Sequence, residues 1–342
     1  MSALEKKRIL VTGGAGFIGS NFIHWVLETS DLQLACVDHL GYAGNLENLA
    51  EIQSDHRFRF YRQDICDESG LRSVFEQVKP DTVIHFAAES HVDRSIQSSA
   101  PFIESNVRGT QVLLDLSCRY PVKRFLHVST DEVYGEIGAN DAASVETDPL
   151  RPRNPYSASK AASDLLVQSY VHTHGFPALI TRCSNNYGPY QFPEKLIPLL
   201  ITNALENRPV PVYGDGRQIR DWIYVDDHCE AIWQLVGSGQ IGEVYNIGGH
   251  NQPTNLEIVK TVLNILDKPE SLITFVKDRP GHDRRYNLND DKLIAQTGFK
   301  ERISLDSGLC RTVDWYLNNQ NWWRHVKSGE YRRYYERQYG KT

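Results

Sequence analysis

The feature that most constrains this chain is a short apolar run, Arg8–Thr12, that leads directly into Gly13, Gly16 and Gly19 and then into an amphipathic stretch expected to be helical from Ser20 to about Glu28. Strand, glycine turn and helix in that order suit a dinucleotide. The first glycine permits a tight turn, the second lets backbone N–H groups approach a pyrophosphate, and the third lets helix pack on strand. No Gly-Lys-Ser/Thr follows, which excludes a P-loop.

The run Gln33–Val37 reads as the second strand and ends at Asp38. An acid at that place binds the two ribose hydroxyls of an adenosine and repels a 2′-phosphate, which favours NAD over NADP. A turn aspartate is the plainer use of the same residue. Phe58–Arg62 reads as a third strand, followed by Asp64 and Ile65, where an adenine contact is expected. Thr82–Phe86 and the small residues Ala87 and Ala88 make a fourth strand and a close-approach loop. The polar stretch 89–95 either reaches a substrate or caps a helix. A helical pattern runs from about Pro101 to Arg119, and Arg124–Val128 is the next apolar strand.

This strand ends in Ser129, Thr130, Asp131 and Glu132. A turn or a helix cap uses such residues. In an open parallel sheet, however, ligands sit at the carboxyl ends of strands. Two acids there can have their proton affinities pushed apart, so that one donates while the other accepts. A dehydration needs that division: one group takes a carbon-bound proton and the other protonates the leaving hydroxyl. Pro155 then opens a helix expected to run to about Thr173, with Tyr156 and Lys160 on one face. A nearby ammonium stabilises phenolate and makes tyrosine a usable base.

Further strands are expected at Ala178–Cys183 and, as a short edge strand, Pro209–Tyr213; an apolar helix is expected from Ile197 to about Leu205. Alternating strands and helices predict an α/β fold, a Rossmann-type doubly wound parallel sheet with a smaller interleaved α/β lobe. The expected division is residues 1–180 plus about 223–250 for the NAD domain, with 181–222 and 251–342 forming the second lobe. The tail from Asn321 carries Trp322, Trp323, Tyr331, Tyr334 and Tyr335 and is expected to pack on that lobe.

Charge narrows the partners. The 342 residues carry 37 Lys and Arg against 43 Asp and Glu, a net charge of −6, which gives no support for nucleic-acid or anionic-membrane binding. Any anion site must be local, and the basic loop Asp278–Tyr286 suggests one for a diphosphate. Cys36, Cys66, Cys118, Cys183, Cys229 and Cys310 show neither zinc spacing nor a Cys-x-x-Cys pair, so no metal is expected and a reducing compartment fits best. With no leader or membrane span visible, a cytoplasmic protein is expected.

The chain resembles the extended short-chain dehydrogenase/reductase family over nearly its whole length. The segments that carry the resemblance are 11–21, 42–49, 87–95, 129–135, 154–161, 184–198, 218–222, 245–251 and 278–286. Sister epimerases share the glycine loop and the Tyr156/Lys160 pair; the Thr130-Asp131-Glu132 triplet points instead to the nucleotide-sugar 4,6-dehydratases. The resemblance implies dehydration of dTDP-glucose, with UDP-glucose or 4-epimerisation as the alternatives. A non-catalytic NAD-binding regulator is the reading from another class. It also implies a homodimer through the helices near 101–119 and 156–173. It implies catalytic roles for Thr130, Asp131, Glu132, Tyr156 and Lys160. NAD contacts are implied for Gly13, Gly16, Phe17, Ile18, Gly19, Asp38, Asp64, Ile65, Ala87, Ala88, Ser105, Tyr156, Lys160 and Asn186. Substrate contacts are implied for Ser90, Thr130, Asn185, Lys195, Leu196, Pro211, Tyr213, Arg220, Asn255, Arg279 and His282. Loop contacts within 136–154 do not carry over, because this segment is short compared with some members.

Overall fold

The computed structural model describes residues 8–278 and 280–328. Arg279, Tyr331, Tyr334 and Tyr335 lie outside the described residues. The strands, in chain order, are β1 (Arg8–Thr12), β2 (Gln33–Asp38), β3 (Phe58–Arg62), β4 (Thr82–His85), β5 (Arg124–Thr130), β6 (Ala178–Cys183), β7 (Asn185–Tyr187), β8 (Val210–Tyr213), β9 (Trp222–Tyr224), β10 (Val244–Ile247) and β11 (Ile273–Val276). Seven of them form one sheet in the order β10-β6-β5-β4-β1-β2-β3, every neighbour parallel. The strand order reverses between β1 and β4. A crevice at the carboxyl edge is built into that reversal.

Apolar runs buried on both faces suit a parallel sheet covered by helices. One face packs Ile9, Val11 and Cys36 against Phe22, Ile23 and Ile232, from the helices Phe17–Thr29 and Val225–Ser238. The other packs Leu10, Val83 and Phe125 against Leu71, Leu113 and Val167. A smaller lobe holds its own core of Ile197, Val212, Trp222, Ile258, Tyr316 and Trp323. Two parallel strand pairs, β8 with β11 and β7 with β9, belong to it.

The elements differ from the sequence reading mostly at their ends. The first helix begins at Phe17 rather than Ser20, because Gly16 already serves as its extended N-cap. β5 continues to Thr130 and ends in a single 3-10 turn, Asp131–Tyr134. The expected 101–119 helix is three contiguous pieces, with a π-type segment at Ile103–Gly109. Asn106, in that segment, accepts from Glu89 N (2.8 Å) and donates to Glu89 O (3.0 Å) and to Ser159 Oγ (2.8 Å). The wide turn thus ties the loop at Glu89, just before the helix Val92–Gln97, to the helix Pro155–His174.

Beneath the sheet edge lies a dry polar network. Arg182 Nε donates to Asp164 Oδ2 at 2.9 Å, and its Nη1 donates to Tyr134 Oη at 2.8 Å, with both ion-pair side chains buried. Breaking one half of a buried pair strands the other charge. Asp164→Asn should therefore cost about 3–5 kcal/mol of unfolding free energy, read from urea denaturation; a loss below 1 kcal/mol would show that the guanidinium finds other acceptors.

Candidate active site

The glycine loop shows why its residues are small. Gly13 has φ +72°, and a Cβ there would lie 2.5 Å from Ala87 N. A Cβ on Gly19 would lie 2.3 Å from Gly13 O. The β1 and β4 loops therefore meet backbone to backbone. Asp38 sits beside them, accepting from Ala15 N (3.0 Å) and Leu40 N (2.8 Å). Burial raises its carboxyl affinity for protons, and these two N–H groups oppose the rise.

From this loop a cavity of about 440 Å³ runs along the carboxyl edge of the sheet. All fourteen residues assigned to NAD from sequence line it, from Gly13, Asp38 and Asp64 to Ala88, Ser105 and Asn186. The fit to a dinucleotide is good: a backbone cradle at a helix N-terminus, a carboxyl at the end of β2, and a close-approach loop opposite.

The same cavity receives Thr130, Asp131, Glu132, Tyr156 and Lys160. Thr130 Oγ1 donates to Asp131 Oδ1 at 3.1 Å and accepts from Glu132 N at 3.3 Å. Thr130 is also the neighbour that opposes the rise in proton affinity of the Tyr156 phenol. Asn154 donates to Glu132 Oε2 at 3.2 Å, while its own Oδ1 caps the next helix by accepting from Ser157 N. Asp131 is fully enclosed, and its Oδ2 has no hydrogen-bond partner. Burial, and then the neighbouring Glu132 charge, push the Asp131 carboxyl up to about 8. It is held as an acid at neutral pH.

Lys160 is placed differently from the simple Tyr–Lys expectation. Its Nζ donates to Val128 O at 2.8 Å, and burial brings its ammonium down to about 8. Tyr156 is pushed well above its ordinary range by burial and by Glu132, and the hydroxyl of Thr130 is the group that favours its phenolate.

The sequence-assigned substrate residues fall into two groups. Ser90, Asn185 and Lys195 line the cavity with the acids, and Lys195 Nζ donates to Ser90 O at 2.9 Å. Leu196, Pro211, Tyr213, Arg220, Asn255 and His282 lie outside its lining, in the smaller lobe. There Tyr213 meets His282 edge-on at 6.0 Å and donates to Asp93 Oδ2 at 3.1 Å. Arg220 lies 4.5 Å from the Tyr286 ring centre and donates to Asp283 O. Asn255 N donates to Gln218 O, whose side chain in turn donates to Asp278. Pro211 lies in β8 and Leu196 opens the helix Leu196–Leu205.

Sequence reasoning passed over Asn154, Cys183 and Glu194. Glu194 lines the cavity, buried, with Oε1 3.6 Å from His91 Nε2 and Oε2 3.8 Å from Arg94 Nε. Burial pushes this carboxyl up to about 8. Asn154 caps the helix that Pro155 opens, and nothing local in the sequence says that its amide reaches Glu132.

The geometry agrees with comparison to known proteins. The profile of the GDP-mannose 4,6 dehydratase family matches residues 10–312. The dTDP-glucose 4,6-dehydratase of Neisseria meningitidis is 50% identical over 346 residues, covering 95% of this chain and 98% of that protein. Its counterpart in an Actinoplanes species is 52% identical, covering 92% and 99%. Among solved structures, the dTDP-glucose 4,6-dehydratase of Streptomyces venezuelae with NAD bound superposes at TM-score 0.91 with 46% identity, covering 94% of this chain and all of that one. The UDP-glucose 4-epimerase of Thermus thermophilus, with NAD, reaches 0.85 at 32% identity, covering 91% and 99%.

The raised Asp131 affinity has a stability consequence. A carboxyl whose folded pKa lies above its unfolded value stabilises the fold fully below the unfolded pKa and loses that contribution as pH rises through the folded one. For Asp131 the window runs from the ordinary carboxylate value of 3.8 to about 8. Asp131→Asn cannot ionise, so its melting temperature should overtake the wild type's increasingly from pH 5 to 8 and keep a constant lead above that; parallel curves across this range would mean that Asp131 is ionised in the folded protein.

Proposed function

The chain belongs to the dTDP-glucose 4,6-dehydratases of the extended short-chain dehydrogenase/reductase family, and from that premise we propose how its own residues carry the reaction. It is an NAD-dependent enzyme that converts dTDP-D-glucose to dTDP-4-keto-6-deoxy-D-glucose and water. The observation that carries the reading is the buried Asp131 carboxyl, its proton affinity raised, beside Glu132 in one cavity with Tyr156.

NAD held along the Gly13–Gly19 loop, Asp38 and Asp64 supplies the hydride acceptor at C4 and the hydride donor at C6. Tyr156, in the same cavity as Thr130 and Lys160, removes the proton of the sugar 4-hydroxyl. Oxidation at C4 makes the C5 proton acidic. Glu132, steadied by Asn154, removes it. Asp131 delivers its proton to the C6 oxygen, which leaves as water. Lys160, bound to Val128 O, keeps a positive charge under the site. Loss of one water balances the elimination, and hydride return to C6 with reprotonation at C5 completes the product.

Substrate placement follows the two groups above. Ser90, Asn185 and Lys195 serve the sugar and its near phosphate, while Leu196, Pro211, Tyr213, Arg220, Asn255, Arg279 and His282 serve the nucleotide end. Arg220 is the residue suited to a phosphate fork. In this reading residues 1–180 with about 223–250 hold NAD, and 181–222 with 251–342 hold the nucleotide sugar. Ile103 and Leu165 are large apolar side chains left exposed on the 100–119 and 155–174 helices, and they support a homodimer packed there. All six cysteines are free thiols, which suits a reducing cytoplasm.

Purified protein incubated with dTDP-glucose, without added NAD, should yield a sugar nucleotide lighter by one water in the mass spectrum. A strong preference for UDP-glucose would change the base and keep the mechanism, and C4 inversion without water loss would replace dehydration by epimerisation. In rapid-quench assays Asp131→Asn should slow water loss by about 10²–10⁴-fold and leave the first oxidation much less affected. Tyr156→Phe should block that oxidation, seen as no absorbance of reduced NAD; a Tyr156→Phe enzyme that still reduces NAD at the normal rate would remove the phenol from the scheme.

A further inference from the structure

Asn48, which holds the glycine loop, is itself bonded by a residue 274 positions away. Ala15, at its centre, donates to Asp38 and offers its carbonyl to two donors, Asn45 N at 3.0 Å and Asn48 Nδ2 at 2.9 Å. Asn48 is 2% exposed. Its backbone carbonyl faces His24 Nε2 at 2.8 Å, and its side-chain Oδ1 accepts from Trp322 Nε1 at 2.8 Å. Trp322 lies in the helix Gln320–Val326, at the far end of the described chain.

Two properties make this more than packing. A buried amide oxygen with no donor is costly, so the Trp322 N–H fixes the side of Asn48 that faces Ala15. With its oxygen held by the indole, Asn48 presents its NH2 group to the loop carbonyl. The indole itself is wedged among Trp315 (5.0 Å), Tyr190 (6.0 Å) and Tyr316 (6.2 Å). Tyr190 in turn stacks on His24 of the first helix, 5.7 Å away with rings 5° from parallel, and Asn21 of that helix donates to Pro189 O. The outer side of the dinucleotide-binding strand, loop and helix is thus grasped by residues of the smaller lobe.

We propose that Trp322 and Asn48 are positioning residues for the cofactor, a clasp through which the last described helix holds the glycine loop in its binding shape. The proposal rests on the reading of this loop as the NAD site. A loop that must arrange its N–H groups around a pyrophosphate binds most tightly when that arrangement exists beforehand. The clasp supplies the arrangement and explains how an enzyme that reuses one cofactor within a turnover can retain it. It also links the lobe that takes the sugar to the loop that takes the dinucleotide.

Trp322→Phe keeps the aromatic packing and removes the N–H. Its NAD dissociation constant, measured by quenching of protein fluorescence on stripped enzyme, should rise by about five- to tenfold, the scale of one lost buried hydrogen bond. NAD carried through purification should fall with it, and the KM for the sugar nucleotide should move much less. Asn48→Asp keeps an acceptor for Trp322 but loses the N–H to Ala15, and should weaken NAD to a similar extent. The double variant should be no worse than the poorer single one, because both changes break one path. NAD affinity within twofold of wild type in both single variants, whatever their melting temperatures, would overturn the clasp, and so would additive losses. Wild-type protein that bound no NAD would overturn the cofactor reading and the clasp together, an outcome separable from failure of the clasp alone.

Discussion

A buried carboxyl beside a second carboxyl holds its proton more tightly than a solvated one, and the rest of the site follows from that constraint. Asp131 is enclosed and pushed up to about 8, while Glu132 is only partly covered and takes a hydrogen bond from Asn154. An elimination needs an acid and a base on neighbouring atoms of one substrate. The fold produces that asymmetry from two neighbouring acids by giving them different surroundings. Tyr156 is drawn into the same arrangement, since Glu132 raises the proton affinity of its phenol as it raises that of Asp131.

The parallel sheet makes the arrangement possible. All seven strands point their carboxyl ends to one edge, so the glycine turn after β1, Asp38 after β2, Ala87 after β4 and the acid pair after β5 open into one cavity. Gly13 lets the β1 and β4 loops touch backbone to backbone. His85, under this contact, lies 2.7 Å from Thr12 Oγ1 and 2.9 Å from Thr110 Oγ1. Thr110 gives its own proton to Asn106 O, so it accepts from His85 Nε2, and His85 Nδ1 accepts from Thr12. Burial keeps this imidazole neutral, far below its ordinary range. The floor of the site is therefore polar yet carries no charge at that point.

Legibility in the sequence follows the range of the interactions. The strand–glycine–helix unit, Asp38, the acid pair and the Tyr156/Lys160 spacing are local patterns, and each could be read because its chemistry lies within a few residues. The sheet could be read because alternating apolar runs and helices leave few topologies. What could not be read is what folding brings together from afar. Asn106 clamping Glu89, Asn154 reaching Glu132 across 22 residues and Trp322 meeting Asn48 depend on side chains whose partners sit on other elements. The Tyr156/Lys160 spacing likewise did not tell that the carbonyl of Val128, on a neighbouring strand, takes a hydrogen bond from the ammonium.

The contrast between Asp131 and Asp164 shows what turns a carboxyl into an acid here. Both are aspartates, and both are buried below the same sheet edge. Asp164 faces the guanidinium of Arg182 at 2.9 Å, with His127 also against it, and these partners outweigh burial and hold its carboxyl below the ordinary value. Asp131 has the hydroxyl of Thr130 and the more remote charge of Arg220, and these do not offset its burial and the charge of Glu132. Burial alone therefore does not set the direction; the partners that face the carboxyl do. Arg182 is committed to Asp164 and Tyr134, and Lys160 to Val128 O. The cation that does act on Asp131, Arg220, is too remote to reverse its preference for the proton.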